Sequence, residues 1–157
     1  DMDELFFHPK VVHVPIALAV LMPLIAAGML VAWSREWLPR RTWIVVVALQ
    51  AILVGSAFVA LETGEDQEDA VEKVVPEDAI HEHEEAAEWF LWGGGVVLIL
   101  LAIPMVLPNP RTALALALLG SVGTLVVFAM GYRVGQLGGE LVYRHGAARA
   151  YETGAGP

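Results

Sequence analysis

The stretch VVHVPIALAVLMPLIAAGMLVAW, residues 11–33, runs for 23 residues with no acid, lysine or arginine. As a helix it would rise about 35 Å at 1.5 Å per residue, enough to cross a hydrocarbon core of about 30 Å. A helix apolar on every face needs apolar surroundings on every side. The surprise is at its mouth, where His8, Pro9, His13 and Pro15 stand in FFHPKVVHVPIALAV.

Three further runs repeat the pattern. Spans at about 11–33, 43–61, 84–107 and 112–137 predict an all-α fold, an integral membrane bundle of four antiparallel helices forming one domain over 1–157. The 157-residue chain is 57% hydrophobic, with a mean hydropathy of +0.61, in line with a bilayer as solvent. The links at 34–42 and 108–111 are short, so consecutive helices should pack side by side and antiparallel.

Charge sets an orientation. Arg35, Arg40, Arg41 and Arg111 crowd the two short links, while every acid except Glu36 lies at the other face. The positive-inside rule makes the arginine face cytoplasmic. The expected location is the inner (cytoplasmic) membrane, with both termini periplasmic or extracellular. The start DMDELFF is acidic where a signal peptide is basic, so the first span is expected to insert uncleaved.

Residues 62–83 form an acidic external loop, and the acidic run continues to Glu88 with Lys73 as its one basic residue. Such a run fits a docking face for a basic partner, or more plainly a solvated surface. Pro76 followed by Glu77 and Asp78 predicts a helix start, because acids suit the positive end of the helix dipole. A helix over 112–146 would reach about 52 Å, longer than any bilayer requires. Gly135, Gly138 and Gly139 therefore predict a bend near Gly138, then an interfacial tail at 139–149 with an amphipathic segment at 141–148.

All five histidines, His8, His13, His81, His83 and His145, fall at or beyond the outer ends of spans. Helical phase separates two of them. His81 shares a stripe with Glu84, Glu85, Glu88 and Trp92 and should face water; His83 shares one with Ala86, Ala87, Phe90, Gly94 and Val97 and should face the bundle. Pro15 would leave the Val11 carbonyl without its helical donor and open a polar pocket beside His13. Gly120, Gly131, Gly135 and Gly138 share one stripe of the last span. They serve either close helix packing or a slot for a flat ligand.

Zero cysteines exclude disulfides, thiolate-held iron–sulfur clusters and covalent c-type haem. Imidazoles at membrane depth point instead to a metal or haem. A bis-histidine haem b needs two imidazoles from different helices, with axial candidates His8, His13, His83 and His145 serving one haem or two. His13 is the expected axial ligand, opposite His83 or His145. Arg133 and Arg144 lie in the same layer and could pair with propionates; an interfacial anchor or an ion pair is their plainer role.

The opening HPKVVHVPIAL, the internal ETGEDQED and the closing GGELVYRHGAA resemble the four-helix bacterial membrane family catalogued as domain of unknown function 2231. The resemblance covers about 8–148, and its pattern falls on His8, Pro9, His13, Pro15, Gly64, His83, Gly138, Gly139, Tyr143, His145 and Gly146. This chain departs from it in an unusually acidic loop that lacks an aromatic after TGEDQ. Similar proteins keep company with respiratory and cytochrome components, which implies a redox setting.

Three functions stay open. The first is a b-type haem protein passing electrons at the outer face to a redox partner such as a cytochrome or quinone. The second is a non-haem site for one Fe, Cu or Zn ion held by His8, His13, His83 and His145 with a carboxylate such as Glu62 or Glu84. The third is a cofactor-free accessory subunit of a respiratory complex, or a homo-oligomer, surrounded by membrane lipid. An electron carrier or accessory subunit is expected rather than a stand-alone enzyme. No serine lies near a histidine to build a hydrolytic triad, and few polar residues line the spans as a channel would need. A net charge of −9 excludes nucleic acid as a partner.

Overall fold

The computed structural model describes residues 11–65 and 71–147. Four helices make up the fold: α1 at His13–Ser34, α2 at Ile44–Glu65, α3 at Glu77–Ala102 and α4 at Pro110–Tyr143. A 3-10 turn at Arg40–Trp43 leads into α2, and another at Ile103–Met105 ends α3. All four helices are long and apolar enough to cross a membrane. The described residues contain no strand.

Each helix packs on its neighbours in sequence, and α4 closes the square against α1, leaving α1 and α3 on one diagonal and α2 and α4 on the other. The interior is built from small residues and single large knobs. Pro15, Ala19, Met22 and Ala26 form the buried stripe of α1, at the spacing of one helical face. Opposite them, Ala117, Gly120, Thr124, Val127 and Gly131 form that of α4. Without side chains at the glycines the backbones come close, the usual way helices gain contact where lipid tails remove any hydrophobic drive. Outward residues are large and apolar instead: Leu24 is 73% exposed and Trp92 72%. A lipid solvent accounts for this inversion.

The α3–α4 seam is a ladder of knobs over small residues. A Cβ built on Gly120 would stand 2.8 Å from Leu101, one on Gly123 2.8 Å from Val97, and one on Gly131 3.0 Å from Phe90. Gly138 meets His83 Cε1 at 3.2 Å in the same way, so the neighbouring helix fills three of the four stripe glycines expected in sequence, Gly120, Gly131 and Gly138; of the four, only Gly135 has nothing within 4 Å of its missing Cβ.

At the arginine end two side chains clamp α3. The last turn of α3 tightens to 3-10 around Pro104, which frees carbonyls from their α-helical donors. Trp43 Nε1 donates to Leu101 O at 2.9 Å, and Arg40 Nη2 donates to Pro104 O. Both donors come from the start of the second span, so this link is tied to the third.

Two expectations change. First, α4 runs without interruption from Pro110 to Tyr143, straight through Gly135, Gly138 and Gly139. The bend expected near Gly138 does not form, because α3 begins at Glu77, far enough out to support α4 over its outer turns. The interfacial tail of 139–149 is therefore still helix up to Tyr143. The chain then turns at Gly146, whose φ of 74° lies in the left-handed region that glycine adopts without strain. Ala147 packs there against Val75 and Ile80 in a small second core. Second, α1 opens at His13, which puts Pro15 in the first turn, where its missing N–H would lack a partner in any helix. The Val11 carbonyl that loses this donor lies just before the first turn, so the polar gap expected beside His13 falls at the helix entry. At Glu77 the helix begins directly after Pro76, where the acids predict it.

Candidate cofactor site at the outer end of the bundle

Gly131 supplies a common level for three helices: its absent Cβ would meet Ala19 Cβ at 3.3 Å and Phe90 Cε2 at 3.0 Å. His13 lies six residues outward from Ala19 and His83 seven outward from Phe90, so the two rings stand about 9 and 10.5 Å above that level. They share a layer, but on diagonal helices.

Their surroundings differ. His83 is half-buried, its Nδ1 is sealed from solvent, and its ring lies against Gly138, where a Cβ would come within 3.2 Å of Cε1. His81 is exposed, as its phase predicts, while Ala86, Phe90, Gly94 and Val97 are buried. His13 takes the phase that an all-apolar helix left undetermined: it is exposed, on the outward stripe with Ile16, Ala17 and Val20. His13, exposed on the outer face of α1, and His83, against Gly138 of α4, therefore lie in one layer on diagonal helices with different neighbours. His145 is half-buried in the turn after α4, its N–H donating to Glu140 O at 3.2 Å. His8 lies outside the described residues.

The arginines are engaged locally. Arg133 Nη2 meets Glu82 Oε1 at 3.4 Å, linking α4 to α3, and Arg144 Nη1 meets Glu140 Oε2 at 3.3 Å within the last turn of α4. Both pairs are exposed and weak, so either guanidinium can exchange its partner at little cost. Among the described residues, no three of His, Asp or Glu gather closely enough to hold a metal ion.

One feature escaped the sequence. A groove of about 280 Å³ separates α1 from α4, lined by Ile16, Val20, Phe128, Tyr132, Gly135 and Gln136 among others. His13 stands one turn outward from Ile16 on the same exposed stripe of α1. The groove is apolar along its length, and near its outer end Gln136 Nε2 donates to Tyr132 Oη at 3.2 Å. The signal in the sequence was the i, i+4 pair Tyr132 and Gln136 flanking Gly135, a polar rim beside a missing side chain.

Tested against a flat porphyrin, these residues match in part: the apolar walls and the open notch at Gly135 would suit the macrocycle, and His13, one turn outward, would be the nearest nitrogen on α1. No histidine lines the groove itself, so a second nitrogen would come from elsewhere, with His8 and His145 as the candidates the sequence offers.

These elements together define a small multi-pass membrane protein with a histidine layer at one end. A family model described as "predicted membrane protein (DUF2231)" matches residues 5–150, and the chain belongs to that family. Among curated proteins and among solved structures, nothing matches.

Proposed function

We propose that this chain is a b-type haem membrane protein that passes electrons at the outer face of the cytoplasmic membrane. The groove between α1 and α4, open at Gly135 and one helical turn inward of His13, carries the proposal. Its walls are apolar, and the His13 imidazole, exposed one turn outward from Ile16, is the nitrogen proposed as ligand. When bound, haem supplies a one-electron couple whose potential follows its axial ligands and burial. The chain's part is to exclude water with Ile16, Val20 and Phe128, to offer His13 as ligand, and to hold Arg133 or Arg144 near the propionate edge. A quinone or cytochrome is the partner class. With the arginine links cytoplasmic, the site opens outside, where both termini also lie. The reduced-minus-oxidised visible spectrum of purified protein tests this reading.

A second reading is supported by the His83 ring packed against Gly138. There the imidazole acts as the outermost knob of the α3–α4 ladder, and the protein serves without a cofactor as an accessory subunit of a respiratory complex. The two separate in one experiment, since this reading requires no haem and no loss of absorbance in any histidine variant. A mononuclear Fe, Cu or Zn site is the third outcome, read by elemental analysis of the same sample.

A further inference from the structure

The opposite end of the bundle carries a second cavity. It measures about 510 Å³ and lies between the α1–α2 link and the start of α4, with Trp33, Leu38, Arg40, Arg111 and Leu114 in its lining. Arg40 is fixed there by its Nη2 bond to Pro104 O, while its Nε is buried without a hydrogen-bond partner. Arg111 is exposed and makes no ion pair among the described residues. One acid, Glu36, shares the lining, leaving a net charge of +1 from the three ionised groups. The first N–H groups of α4 are already taken: Asn109 Oδ1 accepts from Arg111 N at 2.9 Å and from Thr112 N at 3.4 Å. Anion recognition here therefore falls to the guanidinium groups.

We propose that this cavity binds the phosphate of an anionic phospholipid, with Arg40 and Arg111 holding the headgroup and Leu38 and Leu114 against the start of the acyl chains. Three observations converge on a lipid. The cavity lies where the apolar spans end and the arginines begin, at headgroup depth. Its lining joins two guanidinium groups, which match phosphate geometry, to apolar side chains that a free ion would not need. Exposed Trp37 lies in the same link, where an indole anchors at the interface. Basic pockets between spans recognise anionic lipids in this way. The lipid would bridge the two short links, α1–α2 and α3–α4, just where Arg40 already ties them.

The test uses the full chain, delipidated in neutral detergent, with phosphatidylglycerol, phosphatidylcholine or inorganic phosphate added. Lipid retention is followed by native mass spectrometry and stability by thermal unfolding. Phosphatidylglycerol should be retained more tightly than phosphatidylcholine and should raise Tm more. Arg111→Gln should weaken its retention about five-fold, the worth of one arginine at an anionic surface, and leave that of phosphatidylcholine unchanged. Arg40→Gln also breaks the bond to Pro104, so Arg111→Gln gives the reading. Glu36→Gln, which removes the one acid, should tighten phosphatidylglycerol. Equal retention of the two lipids, full retention in Arg111→Gln, or an equal rise in Tm with inorganic phosphate alone would each overturn the proposal.

Discussion

The imidazole of His83 lies in the notch left by Gly138, its Cε1 3.2 Å from where a Cβ would stand. That contact ties the outer end of α3 to α4 and continues the ladder made lower down by Phe90 on Gly131 and Leu101 on Gly120. It makes His83 part of the packing whatever else it does, and turns attention to His13 as the ring with an open approach.

The ladder predicts opposite responses from two glycines of one stripe. A methyl group at Gly120 would meet Leu101 Cδ2 at 2.8 Å and its backbone N at 3.3 Å, so Gly120→Ala should destabilise by about 1–3 kcal/mol. Gly135 meets nothing, so Gly135→Ala should be neutral or stabilise by up to about 1 kcal/mol through helix propensity. Thermal unfolding in one detergent compares them directly.

Gln50 is fully buried in the bundle, its Nε2 donating to Gly94 O at 3.1 Å and its Oε1 buried without a hydrogen-bond partner. An acceptor left unsatisfied offsets most of what the single bond gains. Gln50→Leu should therefore be neutral or slightly stabilising, whereas Gln50→Ala should cost about 2 kcal/mol through the cavity it leaves. Denaturation of both variants in the same micelle is the check.

Much of this was legible in the sequence, and the limits have physical causes. Span number and the α3 start at Glu77 follow from apolar length and from Pro76 with its acids. The phase of His81 against His83 was legible because α3 changes from polar to apolar around its circumference. The phase of His13 was not, because α1 is apolar on all sides and periodicity carries no signal there. The expected break at Gly138 failed for a related reason: glycine weakens an isolated helix, but His83 and its neighbours on α3 support this one from the side. The groove at Gly135 depends on which of four equivalent glycines meets no knob, a property of two helices and not of either alone.

Glu36 has a φ of 60°, the left-handed region that a non-glycine residue enters at a cost of about 1–2 kcal/mol. Glu36→Gly should raise thermal stability. It also strips the one acid from the inner cavity, so the same variant should retain phosphatidylglycerol more tightly. A fall in stability would show that the Glu36 side chain makes a contact worth more than the strain.

Orientation is open to a direct test. By the positive-inside rule, arginines at the two short links are expected to put both termini and the acidic 62–83 segment outside. A reporter active only in the periplasm, fused after Pro157, should be active. Activity from a cytoplasm-only reporter at the same point would invert the topology and place the groove on the inner side.

The most direct measurement is the visible spectrum of protein purified from haem-replete membranes, oxidised and reduced, for the parent, His13→Ala and His81→Ala. Expected are a Soret band in the parent that shifts on reduction, its loss in His13→Ala with Tm falling only to that of the haem-free parent, and its retention in His81→Ala. A parent without a Soret band, or a His13→Ala variant with the full haem content of the parent, would contradict it.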